Sequence, residues 1–217
     1  MKIGFVGLGN VGGKLANNLL ENNFQILVFD KNHILMDEFK LKGAKTAKSI
    51  KDLVINSDIL ITCLPSPKIC AEVLESKDGI IDTIQKDQIW IEMSTTEDEQ
   101  LKKHASLIEQ KNAIALEAPV SGGCHRAATG NISIFVGGSR EGFEKAMPVL
   151  KCLGRKILYT GDFGSASILK VITNYLATVH LVALGEAWTI ASKSNLDLNK
   201  TYKGIAASSG NSFAVSY

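Results

Sequence analysis

Along the first three quarters of the chain, short apolar runs of strand length alternate with stretches whose apolar residues recur at helical spacing. The runs fall at residues 2–6, 25–30, 58–63, 88–93, 112–116, 132–136 and 156–159. They are nearly continuous in Ile, Leu and Val, as strands covered on both faces require. Amphipathic helices are predicted between them, among others over residues 11–22, 34–42, 97–110 and 141–150. Regular alternation of this kind predicts βαβ units and an α/β domain with a doubly wound, mainly parallel sheet. Past Gly164 the rhythm changes to one long helix over residues 165–194, bracketed by Gly161 and Gly164 and by the polar "KSNLDLNK". The division expected is therefore 1–162 for the sheet domain and 163–217 for the long helix with the start of an all-α domain. So short a second part buries little core alone, so cover from the first domain, another copy or further chain is expected.

Composition narrows the class. Of 217 residues, 45% are hydrophobic and 21% charged, and the net charge of +2 carries no nucleic-acid footprint. The four cysteines stand apart with no CxxC pair, which argues against a zinc site or disulfide framework and for a reducing compartment. No metal site is expected. The strand-like run begins at once after Met1, leaving no room for a leader peptide. Asn174, Thr178 and His180 interrupt the apolar helix, so it reads as a core helix rather than a membrane span. A soluble, cytoplasmic protein is the expectation.

The sharpest local signal is "IGFVGLGNVG", a glycine-rich turn between the first strand and first helix. Gly7 suits a tight turn, Gly9 a close approach of backbone to a pyrophosphate, and Gly12 the packing of helix on strand. Leu8, Asn10 and Val11 complete the loop, whose free amides face the positive end of the helix. Asp30 ends the next strand, about 20 residues on, where a carboxylate accepts ribose hydroxyls and repels a 2′-phosphate. A Rossmann-like dinucleotide site follows, with NAD favoured over NADP; Lys31 beside Asp30 weakens that preference.

Ligands of such sheets bind beyond the carboxyl ends of the strands. Leu64 and Pro65 in "TCLPSP" stiffen one such turn, and Ser94 and Thr95 in "EMSTTE" follow another strand. Thr95 or Thr96 equally suits a helix cap before "EDE". In "EAPVSGG", Ser121, Gly122 and Gly123 offer a hydroxyl and amides to a carboxylate, whereas Gly137 and Gly138 read as a plain turn. Lys170 and Asn174 stand one turn apart on the long helix. Either the lysine snorkels to water or it faces a pocket. Their stripe continues through Ala177, Leu181, Leu184 and Trp188, which reads as core.

Taken together, "GFVGLGNVG", "EMST", "EAPVSGG…FVGG" and the Lys170–Asn174 pair resemble the β-hydroxyacid dehydrogenase family, which includes 3-hydroxyisobutyrate dehydrogenases and tartronate semialdehyde reductases. The resemblance covers nearly the whole chain, and "SSGNSFAV" is similar to the family's "SSGRSW". It implies a nicotinamide-dependent hydride exchange on a small β-hydroxy acid. Lys170 is then the acid/base, Asn174 orients lysine and substrate, and Ser121, Gly122 and Gly123 hold the substrate carboxylate. It also ranks ligand contact ahead of capping for Thr95. It implies longer members with further site residues, so truncation is expected, and Asn211 standing where the family often has arginine leaves the substrate open. Homo-oligomerisation is expected from the apolar helix. The rivals are an imine reductase of related fold and a non-catalytic dinucleotide-binding scaffold; the retained lysine counts against both. A phosphogluconate-type decarboxylase would need more basic groups than the chain offers. His125 reads as a loop residue, His180 as core-edge, and His33 and His104 as exposed helix positions.

Overall fold

Apolar segments at the expected places form the strands of a single sheet in the computed structural model, which describes residues 1–96 and 98–215. The first half runs β1 (Lys2–Val6), α1 (Gly12–Glu21), β2 (Gln25–Phe29), α2 (His33–Leu41), β3 (Lys45–Thr46), α3 (Ile50–Ile55), β4 (Ile59–Thr62), α4 (Pro67–Glu75), α5 (Ile80–Thr83) and β5 (Ile89–Glu92). It continues with α6 (Asp98–Glu109), β6 (Ile114–Glu117), β7 (Val120–Ser121), α7 (Gly123–Ala128), β8 (Ile132–Gly138), α8 (Arg140–Leu153) and β9 (Gly154–Gly161). Two further helices follow, α9 (Ser165–Lys193) and α10 (Leu198–Ala206).

The sheet order is β3-β2-β1-β4-β5-β6-β8-β7, with β9 paired to β8. Strands β3 to β6 of that order are parallel, β6 meets β8 antiparallel, and β8 meets β9 parallel. Two apolar layers sandwich it. Leu15, Leu19 and Phe39 cover one face, while Leu53, Leu74, Trp90 and Ile108 cover the other. The doubly wound expectation thus holds, and the carboxyl ends of β1, β4, β5 and β6 lie in adjacent positions.

The chain divides into two compact units, Met1–Lys170 and Val171–Tyr217. Four sequence expectations need correction. Gly137 and Gly138 extend β8 instead of turning, because both pair with the end of β6. His104 is 2% exposed rather than solvent-facing, since its Nε2 lies 2.9 Å from Glu75 Oε1. The long helix forms over the expected residues, yet its stripe is not a buried core: Ala177 and Leu181 are exposed, and Leu184 and Trp188 are only half-buried. His180, too, is exposed. The apolar residues of α9 lie around its circumference, so one neighbouring face does not hide them all. By length and composition alone this helix suffices to span a bilayer.

Candidate functional site

Two corners of the first unit gather the chemistry. The first lies where β1 hands over to α1. Gly7 has φ +97°, a conformation that a side chain disfavours, and a Cβ there would stand 2.3 Å from the carbonyl oxygen of Cys63. A Cβ on Gly12 would stand 2.1 Å from the Gly7 oxygen. A Cβ on Gly9, in contrast, would meet nothing within 4 Å. Two glycines are therefore demanded by the fold, and the third opens the loop to an outside group. Helix α1 has Val11 before its first turn, with no side-chain cap and no acidic residue in that turn, which suits its amide end to an anion.

Asp30 closes this corner. Its carboxylate accepts the Leu8 amide at 2.7 Å and the Asn32 amide at 2.8 Å, so the glycine loop and the end of β2 share one anion. Lys31 is turned to Glu72 at 3.1 Å. Gly9 and Asn10 are exposed, Val11 is half-buried, and Leu8 is buried. A cavity of about 410 Å³ opens beside Gly9 and Asn10, with Lys14 of α1, Phe39 of α2 and Lys42 at the end of that helix in its lining. The loop, its open glycine and the carboxylate at the end of β2 fit a dinucleotide.

The ends of β4 and β5 are laced together next to it. Ser94 Oγ accepts the Leu64 amide at 2.7 Å, and the Ser94 amide donates to Glu92 Oε1 at 2.7 Å. Thr62 Oγ1 donates to Glu92 Oε2 at 2.8 Å while accepting from Trp90 Nε1 at 2.9 Å. Glu92 is 1% exposed, and burial pushes its carboxyl up to about 7 against the opposing pull of Ser94 and Thr62. Ser94 is thereby a spacer between two turns. Pro65 and Thr95 are exposed, and Thr96 has a buried Oγ1 with no hydrogen bond among the described residues. The acidic first turn expected of α6 begins at residue 97, outside the described residues.

At the second corner, β6 ends in Glu117 and the chain proceeds to Ser121, Gly122 and Gly123. Ser121 is half-buried and pairs with Ser133 across β7 and β8. Gly122 has φ +132°, and Gly123 is exposed at the start of α7. Lys170, near the start of α9, is half-buried, and burial pulls its ammonium below the usual lysine range. Asn174, one turn further along the same helix, is exposed and belongs to the second compact unit. Among the described residues no cluster of three or more His, Cys, Asp or Glu suits a metal ion.

Sequence reasoning quoted Glu92 and Glu117 inside motifs yet gave neither a role. The available signal was an acidic residue ending an otherwise apolar strand, "IWIE" and "IALE". Burial of Cys63 and Cys70 pushes both thiols up to about 12, whereas Cys124 is exposed.

Residues 2–161 match the family described as the NAD binding domain of 6-phosphogluconate dehydrogenase. Residues 164–217 match the NAD-binding family of NADP-dependent 3-hydroxyisobutyrate dehydrogenase. The chain is 34% identical over 208 residues to mitochondrial 3-hydroxyisobutyrate dehydrogenase of Rattus norvegicus, covering 96% of this chain and 62% of that protein's length. It is 31% identical to 2-(hydroxymethyl)glutarate dehydrogenase of Eubacterium barkeri, over 99% of this chain and 71% of the relative. Among solved structures, Mycobacterium tuberculosis 3-hydroxyisobutyrate dehydrogenase with L-serine superposes with a TM-score of 0.91 at 28% identity, over 99% of this chain and 72% of that one. Both matched families bind a nicotinamide dinucleotide, in agreement with the glycine loop.

Proposed function

The chain belongs to the β-hydroxyacid dehydrogenase family, and from that premise we propose that it exchanges a hydride between a nicotinamide cofactor and a small β-hydroxy acid or its semialdehyde. The observation that carries this reading is Lys170: a half-buried lysine whose pKa burial draws downward, near the start of the helix that follows the dinucleotide fold. An acid/base needs a pKa near the working pH, and desolvation moves lysine in that direction.

In this mechanism the Gly7–Gly12 loop and Asp30 hold the dinucleotide, with Leu64, Pro65, Ser94 and Thr95 beside it. When bound, the cofactor supplies the hydride acceptor in oxidation and the donor in reduction. Neutral Lys170 takes the hydroxyl proton of the substrate at Nζ; in the reverse direction its ammonium returns that proton to the carbonyl oxygen. Ser121 and the amides of Gly122 and Gly123 bind the substrate carboxylate, and Asn174 orients the substrate oxygen. Because burial lowers the lysine pKa, oxidation rises with pH until Lys170 is neutral and then levels. Reduction declines over the same range.

NAD is the preferred cofactor, because a 2′-phosphate would meet the Asp30 carboxylate, and the adjacent Lys31 is engaged by Glu72. The enzyme is cytoplasmic and works as a homo-oligomer in which another copy covers the apolar residues of α9. The relative acting on 2-(hydroxymethyl)glutarate supports a small carboxylate as substrate.

The test is oxidation of NADH and NADPH with glyoxylate, tartronate semialdehyde, succinic semialdehyde and methylmalonate semialdehyde. Turnover with one aldehyde, faster with NADH, is expected. Cofactor binding with no turnover of any of them would favour a non-catalytic dinucleotide-binding scaffold.

A further inference from the structure

The lysine reading leaves the buried acid at the end of β6 without a task. Glu117 ends β6 with none of its surface exposed. Its carboxylate accepts the amides of Gly164 and Ala166 at 2.7 Å each and that of Ser167 at 3.3 Å, together with the Ser167 hydroxyl. These are the first amides of α9, which have no partner within their own helix. Helix α9 has no acidic residue of its own in the first turn, so the anion reaches it from a strand far back in the sequence. Thr160 adds a second tie, since its Oγ1 lies 2.7 Å from Ser165 Oγ and donates to Val136 O.

The opposite strand is shaped for this carboxylate. Gly137 is the register partner of Glu117, and a Cβ at that position would stand 2.3 Å from Glu117 Oε1. Gly137 also belongs to the "FVGG" segment that reads as a turn in the sequence. Its absence of side chain is what lets the acid lie flat against β8 and reach the helix start.

Lys170 follows Ala166 by one turn and Ser167 by slightly less, so its stem rises from the side of the helix that Glu117 grips. A lysine head sits on four rotatable bonds, and its place is defined only if its stem is fixed. We propose that Glu117 is a positioning residue for Lys170: it clamps the first turn of α9 to the carboxyl end of β6, and so fixes where the lysine stem enters the site. The same strand leads within four residues to Ser121, so one acid sets the lysine helix and adjoins the loop assigned to the substrate carboxylate. This role rests on the reading of Lys170 as acid/base, but the clamp itself does not.

The experiment therefore reads placement and turnover separately, in the folded chain. Lys170 is titrated by competitive acylation with acetic anhydride, followed by peptide mass spectrometry across pH, in the wild type, Glu117→Gln and Ser167→Ala. Glutamine keeps the length of the side chain but replaces one acceptor oxygen with a donor facing amide donors. The expected result for Glu117→Gln is a Lys170 midpoint displaced upward, toward that of an exposed lysine, as the first turn loosens. Turnover falls on the order of 10²-fold, as misplacement of a reacting group by about 1 Å does, with cofactor affinity within about threefold of wild type. Ser167→Ala moves both readouts in the same direction by less, and decides the matter if Glu117→Gln does not fold. An unmoved Lys170 midpoint in the folded variants overturns the proposal, as does equal loss of turnover and cofactor affinity. If no aldehyde is turned over by the wild type, the acid/base reading fails while the acylation titration still judges the clamp.

Discussion

Strands β5 and β6 run side by side and end in register on two glutamates, Glu92 and Glu117. Both are buried, 1% and 0% exposed, yet their surroundings differ in kind. Glu92 is held by its neighbours at the strand ends, the Thr62 hydroxyl and the Ser94 amide among them. Glu117 receives three amides and a hydroxyl from the start of α9. A helix start offers donors that have no other partner and a positive pole, so an acid there satisfies groups the fold would otherwise leave bare. An acid among side chains of the sheet has no such source, and burial raises its pKa to about 7. The β6 end thus uses its carboxylate as a staple, whereas the β5 end holds one that changes charge near neutral pH.

The largest effect expected concerns the corner stapled by Glu117. Replacing Lys170 by Met keeps the stem and removes the proton carrier, so turnover drops by roughly 10²- to 10⁴-fold. Cofactor affinity, measured by NADH fluorescence, stays as it was. Retained turnover would reduce the Glu117 corner to scaffold.

Next in size is the acid at the β5 end. The Glu92 carboxyl titrates near 7 in the folded chain against an ordinary 4.5. Its folded pKa is raised, so its contribution to stability is whole below about 4.5 and is lost as pH rises through about 7. Glutamine mimics the protonated acid: its oxygen accepts the Ser94 amide and its NH₂ group donates to Thr62. Urea unfolding at pH 5 and pH 8 should show Glu92→Gln ahead of wild type at pH 8, by at most roughly 3 kcal/mol, and nearly level with it at pH 5. A difference independent of pH would mean that Glu92 does not titrate in this window. Glu75 and Glu141, held below the usual carboxylate range by His104 and Lys145 respectively, lose their smaller contributions as pH falls and cancel between the two proteins.

The glycine loop separates fold from ligand by the same reasoning. Gly12→Ala drives a Cβ against the Gly7 oxygen and should cost about 1–3 kcal/mol in urea unfolding. Gly9→Ala meets open space, so its stability should match wild type while NADH affinity weakens. Equal effects at both positions would remove the argument that Gly9 is kept open for a ligand.

How much of this was legible in the sequence follows from where each property is encoded. Strand positions were readable because a doubly buried strand is apolar throughout, and the glycine loop because its constraints are local. The two-residue strands β3 and β7 carry no periodicity to detect. Burial of α9 was misjudged because apolar composition does not reveal what lies over it. Glu117 was quoted in a motif, yet its partners at Gly164 to Ser167 lie some fifty residues later and belong to another element. His104 followed a polar helical stretch and was placed outside, where only the tertiary contact with Glu75 brings it in. Of the candidate site, the residue types were legible and the acids that hold them were not.

The smallest expected effect reads the Glu92 charge from its neighbours. Cys63 and Cys70 have thiols pushed up to about 12, first by burial and then by the negative charge of Glu92. Cys124 is exposed. Iodoacetamide at pH 9 should therefore modify Cys124 first and leave Cys70 nearly intact, because the thiolate is the reacting species. In Glu92→Gln the Coulomb contribution to both buried thiols disappears while burial stays, so Cys70 should react faster, by less than about tenfold. The rate at exposed Cys124 should not change and serves as the internal reference. Acceleration confined to Cys70 and Cys63 would locate an ionised carboxylate at the β5 end directly. An unchanged Cys70 rate would mean that Glu92 carries no charge even at pH 9, and its titration near 7 would be refuted.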